Sequence, residues 1–136
     1  MHFAVAAGND SEDACNYSPA AASGPITVGA SNKRDQMTFF SNYGPCVDIF
    51  APGMDITSTW IGSRKAVNTI SGTSMASPHV AGVLALYLGE AKYDTKTLKK
   101  IIVGDATSGV LESIPEDTVN SLLCTDHLLT TIKDGQ

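Results

Sequence analysis

Short apolar runs alternate with turn-forming residues along the first half of the chain. Phe3–Ala7, Ile26–Ala30, Val47–Ala51, Ile56–Thr59 and Val67–Ile70 each have the length and composition of a strand. Between them lie Gly8-Asn9-Asp10, Ser23-Gly24-Pro25, Asn42-Tyr43-Gly44-Pro45 and Pro52-Gly53, where a chain changes direction. The pattern then switches period. Val80–Leu88 is almost wholly apolar, which predicts a helix buried on all sides rather than an amphipathic surface helix. Its small residues Ala81, Gly82 and Ala85 allow close backbone approach, and Pro78 is placed in its first turn, where a missing N–H costs little. A second helix should start from Asp94 as N-cap and carry Leu98, Ile101 and Ile102 inward at i, i+3 and i+4. Strands followed by helices in this order predict an α/β fold. No element is assigned beyond about Asn120, and no internal repeat is visible.

The length of 136 residues fits one domain with a core of its own. A hydrophobic share of 43% against 17% charged places the chain among globular proteins. The net charge of −5, with no Lys/Arg cluster longer than a pair, argues against a nucleic-acid partner. No apolar stretch reaches the roughly 18 residues of a membrane span, so no membrane partner is expected. Met1 leads straight into strand-like residues without a basic segment or cleavage site, so the start does not read as a secretion signal. Of three cysteines, Cys15, Cys46 and Cys124, at least one must stay unpaired, and none has metal-site spacing.

The chemistry concentrates in Ser71-Gly72-Thr73-Ser74-Met75-Ala76-Ser77-Pro78-His79-Val80-Ala81-Gly82. A serine on a tight Gly-Thr-Ser turn, followed at once by an apolar helix, is presented as an exposed nucleophile at a positive helix end. The segment resembles the nucleophile region of the subtilisin-like serine proteases. Ala6-Ala7-Gly8-Asn9, Asn16-Tyr17-Ser18-Pro19-Ala20, Thr27-Val28-Gly29-Ala30, Phe40-Ser41-Asn42-Tyr43-Gly44 and Asp48-Ile49-Phe50-Ala51-Pro52-Gly53 are similar to further segments of that family. Their order is that of its fungal proteinase K and cerevisin branch. The resemblance covers residues 1–122, as the C-terminal half of a catalytic domain, and leaves 123–136 as a tail without counterpart.

The resemblance implies a partial subtilisin-like fold: a mostly parallel sheet with a buried central helix following the nucleophile. It implies that Ser74 attacks the scissile carbonyl and that Asn9, with the Ser74 backbone N–H, holds the resulting oxyanion. Ala6, Ala7 and Gly8, with Thr73, then line the substrate site, and their small size implies apolar or aromatic preference. Asp48 with the carbonyls of Ser23 and Pro25 matches a position where proteinase K-like enzymes bind a stabilising Ca²⁺; the alternative is that Asp48 caps a turn. Cys15 and Cys46 match positions that some members join by a disulfide, two free thiols being the alternative. The intact parent would act on peptide or protein substrates, need no cofactor beyond structural calcium, and be secreted or vacuolar.

Half of the implied machinery has no counterpart in these residues. The family's triad runs Asp, His, Ser along the chain, yet no Asp-Ser-Gly, Asp-Thr-Gly or His-Gly-Thr segment occurs. His79 follows Ser74 on the same helix and matches a structural position; His2 falls in a strand and His127 in the tail. A serine hydroxyl without a base is a poor nucleophile at neutral pH. The sequence therefore predicts a serine endopeptidase by resemblance, inactive alone. The alternative is a truncated product or remnant acting at most as a binding or complementing module.

Overall fold

Ala4–Ala6 (β1), Ile26–Ser31 (β2) and Ile49–Pro52 (β3) lie side by side in parallel, with Ala4 opposite Ile26 and Val28 opposite Ile49. The computed structural model describes residues 1–126. Ile56–Thr59 (β4) and Val67–Ile70 (β5) follow, then Thr73–Glu90 (α1), Thr95–Gly104 (α2), Thr107–Ser108 (β6) and Ser121–Leu122 (β7). The main sheet has the order β1-β2-β3-β7-β6, leaving β1 on an edge. Its first four neighbours are parallel and only β6 runs against β7.

β2 is the sheet's centre of mass in chemical terms, all six of its residues being buried. A parallel sheet needs cover on both faces, and the residues of β3 divide accordingly. Ile49 and Ala51 join Val28 and Ala30 beneath α1 and α2, where Ala76, Val80, Val83, Leu84, Tyr87, Leu98 and Ile102 complete a core. Phe50 points the other way, into a second cluster with Ala7, Ala14, Ala20, Val47 and Leu111. A β-carbon on Gly29 would meet the Phe50 ring at 2.4 Å, so this glycine leaves the room the ring fills.

α2 starts where Asp94 caps it, the carboxylate accepting from the Lys96 and Thr97 amides at 3.0 Å each. The two helices are tied by the Tyr87 hydroxyl, which donates to Asp105 Oδ2 at 2.5 Å. Burial and this bond push the Tyr87 phenol well above its ordinary range.

Several expectations need correcting. β3 starts at Ile49 rather than Val47, because the Val47 amide closes a turn on Gly44 O at 3.1 Å. β4 and β5, expected as strands without a stated partner, pair with each other as an antiparallel hairpin apart from the main sheet. Pro78 is not in the first turn of α1, which already begins at Thr73. Inside the helix its missing N–H deprives the Ser74 carbonyl of an i+4 donor. Nor is α1 buried on all sides. Ala81, Gly82, Ala85, Leu86 and Leu88 are exposed, Leu86 by 50%, because the sheet covers only the opposite side. An all-apolar helix shows that both sides suit burial, not that both have a neighbour. β7 lies where no element was expected; a two-residue strand leaves no period to read. Residues 127–136 of the expected tail, with His127, lie outside the described residues.

Candidate active site

Ser74 sits at the second position of α1, exposed, with Gly72 ahead of the helix. The Gly72 amide bonds to Gly53 O at 2.7 Å, and a β-carbon on Gly53 would lie 2.8 Å from Gly72 O. The hairpin base is thereby pressed against the turn that carries the serine. First-turn amides of a helix have no intrahelical partner. The Thr73 amide instead finds Asn9 Oδ1 at 2.8 Å, while the next amide, that of Ser74, donates no hydrogen bond among the described residues.

Thr73 is the joint of the site. Fully buried, its hydroxyl donates to Asn9 Oδ1 at 2.9 Å and accepts from the Gly8 amide at 3.1 Å. A backbone N–H can only donate, so it is the oxygen of the Asn9 amide that faces Thr73. The Nδ2 of Asn9 is turned away and donates to nothing among the described residues. Asn9 Nδ2 and the Ser74 amide are therefore two donors left unspent among the described residues. The Ser74 amide lies at the positive end of an 18-residue helix.

Ala6 ends β1 and Ala7 follows it into this loop, Ala7 fully buried and its amide bonded to Val28 O at 3.0 Å. Sequence reasoning missed Asn42, which pins the same loop. Its Oδ1 accepts from the Asp10 and Glu12 amides at 2.9 and 3.1 Å, and its Nδ2 donates to Ala7 O at 3.0 Å. A polar residue beside a tight turn gives little sign that its amide will be buried and used in full.

No histidine is gathered to Ser74 among the described residues. His79 Nδ1 lies 2.8 Å from Met75 O on its own helix, and His2 precedes β1 at the end opposite Asn9. A cavity of about 440 Å³ opens between the hairpin and the start of α1, lined by Ile56, Trp60, Ile70, Met75, Pro78 and His79. Neither Ser74 nor Asn9 lines it.

Away from the serine, Asp48 accepts from the Thr27 amide at 2.8 Å and pairs with Lys99 Nζ at 2.8 Å. Lys99 also reaches the carbonyls of Pro25 at 2.8 Å and Ser23 at 3.5 Å. Lys99 is a second residue that sequence reasoning missed. A disulfide joins Cys15 to Cys46, Cα atoms 5.3 Å apart across a separation of 31 residues, and Cys124 is a free thiol. On the chain-entropy account such a loop is stabilised by about 3–4 kcal/mol.

Residues 1–123 match the profile of the Subtilase family. The chain is 61% identical to "Alkaline protease 2" of Aspergillus fumigatus over 90% of its own length and 27% of that protein's. It is 57% identical to "Subtilisin-like proteinase Spm1" of Pyricularia oryzae over 99% of its length and 28% of that protein's. It therefore spans little more than a quarter of these curated relatives. The solved structure of a cold-adapted subtilisin-like serine proteinase superposes with a TM-score of 0.85 at 45% identity, over 90% of this chain and 44% of that one.

Proposed function

Since the chain belongs to the subtilase family, we propose that it carries the nucleophile and oxyanion half of a fungal subtilisin-like serine endopeptidase. In the complete site Ser74 Oγ attacks the substrate carbonyl carbon, its proton passing to a histidine base as the C–O bond forms. The carbonyl oxygen becomes an oxyanion held by Asn9 Nδ2 and the Ser74 N–H. Collapse expels the amine, which takes the proton, and leaves an acyl-enzyme on Ser74 that water then hydrolyses. Ala6, Ala7 and Gly8 wall the site for an apolar or aromatic side chain. The reaction uses no cofactor. The single observation that carries this reading is the Thr73 clamp, which spends the oxygen of Asn9 and leaves its nitrogen without a partner among the described residues.

The base and its carboxylate have no counterpart in these 136 residues, so the chain by itself is proposed to be inactive. The Cys15–Cys46 disulfide supports an oxidising destination, secreted or vacuolar, for the parent. No helix among the described residues is long and apolar enough to cross a membrane. The experiment treats the purified chain with a fluorophosphonate probe, alone and mixed with the N-terminal part of the catalytic domain of its 61% identical relative. Labelling of Ser74 only in the mixture is the expected outcome. Fast labelling of the chain alone, at a rate near that of an intact subtilase, would overturn the inactive reading.

A second reading, a non-catalytic module that pairs with another polypeptide, is favoured by the bare side of α1, with Leu86 and Leu88 exposed. It parts from the first in that mixture: stable association without labelling of Ser74 would support it.

A further inference from the structure

Three oxygens matched to a calcium position converge here on a side chain of the same protein. Lys99 Nζ lies 2.8 Å from Asp48 Oδ2, 2.8 Å from Pro25 O and 3.5 Å from Ser23 O. Ca²⁺ takes roughly six to eight oxygen ligands at about 2.3–2.6 Å. An ammonium instead carries three N–H donors and sits about 2.7–2.9 Å from a charged acceptor. The number of acceptors and the two short distances are those of an ammonium. A metal ion could not share the spot, because two cations would compete for the same lone pairs and repel each other at contact. Asp48 Oδ2 is in addition already taken by the Thr27 amide at 2.8 Å. Nor does any group of three His, Cys, Asp or Glu side chains gather to hold a metal among the described residues.

We propose that Lys99 is a built-in cation at this position, fastening the loop of residues 20–27 to α2 and making Ca²⁺ unnecessary there. The sequence positions it by local means. Asp94 fixes where α2 begins, Leu98 and Ile102 fix which side faces the core, and Lys99 then lies beside the loop. Its side chain and that of Asp48 are only 24% and 23% exposed, so solvent screens the pair less than it would on an open surface. The loop is tied at both ends, since the Thr27 hydroxyl donates to Ala20 O at 2.8 Å while the Thr27 amide bonds Asp48. A tethered cation is always present, so the loop's closure does not follow the free ion concentration as a bound metal's would.

Hydrogen exchange followed by mass spectrometry on peptides covering residues 20–28 tests this, for the full chain in millimolar Ca²⁺ and in chelator. In the natural sequence the two conditions should give the same exchange. Lys99→Met should speed exchange of this segment about tenfold, the loss expected when charge-assisted hydrogen bonds are removed from a local opening unit. Lys99→Gln, which keeps polarity and loses charge, should fall on the same side, with unchanged protection of α1 peptides showing that the fold persists. Two results would overturn the proposal. One is Ca²⁺-dependent slowing in the natural sequence that disappears in Asp48→Asn. The other is exchange in both Lys99 variants equal to that of the natural chain.

Discussion

A β-carbon on Gly8 would lie 2.2 Å from Asn42 Nδ2, so the Asn42 amide occupies the space that only glycine leaves open. Gly8 also has φ of 109°, a region L side chains seldom enter. The Asn42 backbone N–H adds a second tie, donating to Gly8 O at 2.9 Å. The loop bearing Asn9 is thus held from one side by Asn42 and from the other by Thr73, and neither clamp belongs to the reacting atoms.

Removing the first clamp should loosen the whole loop. Asn42→Ala deletes an amide that satisfies two backbone donors and one carbonyl in a buried setting, and strands them. Stranded groups of this kind give an expected loss of about 2–4 kcal/mol. Denaturant midpoints of the two chains at matched protein concentration measure it. Midpoints that coincide would show that the loop holds itself.

The second clamp should act on turnover rather than binding. In an active assembly, Thr73→Val keeps the shape but lets the Asn9 amide rotate, so kcat should drop about tenfold with KM little changed. Asn9→Ala should cost about 10²–10³ in kcat, a magnitude taken over from subtilisin's own oxyanion-hole asparagine. A Thr73→Val variant that raises KM and spares kcat would mean that Thr73 serves substrate binding instead.

Much of this arrangement was legible in the sequence, and the gaps have physical causes. Apolar runs located β2, β4, β5 and α2 because each side chain's partner class is written in its own chemistry. Ser74 was singled out by its tight turn and small neighbours, and Asn9 by its place in a segment that resembles the family's. Asn42 and Lys99 were not. Their roles depend on what lies across a gap of 30 to 76 residues in sequence, between Asn42 and Glu12 or between Lys99 and Ser23. The open side of α1 escaped for the same reason, since residue composition reports a demand for cover and not its supply.

Acid should loosen the start of α2. The Thr97 hydroxyl, then the Thr97 and Lys96 amides, stabilise the charged Asp94 carboxylate and hold it below its ordinary value of 3.8. With the folded-state value below the unfolded one, this contribution is fully present above about pH 4 and is lost as pH falls through the folded value. Asn caps nearly as well without titrating. Far-UV dichroism of the natural chain should therefore lose helix, as pH falls below about 4, more steeply than that of Asp94→Asn. Identical acid profiles would exclude Asp94 as the titrating cap.

The last prediction concerns the uncovered side of α1. Leu86 and Leu88 are 50% and 37% exposed beside Ala81, Gly82 and Ala85, and β1 closes the sheet with no strand beyond it among the described residues. Phe3, at the mouth of that edge, is 55% exposed. A parallel sheet with an open edge and an apolar helix flank tends to pair with whatever is near. The isolated chain should self-associate as concentration rises and bind a hydrophobic dye. Leu86→Lys, which adds charge to the exposed side without touching the buried core, should weaken both effects. Light scattering after size exclusion, run over a concentration series, measures this. A dye-silent monomer at every concentration would show that this side of α1 tolerates water as it stands.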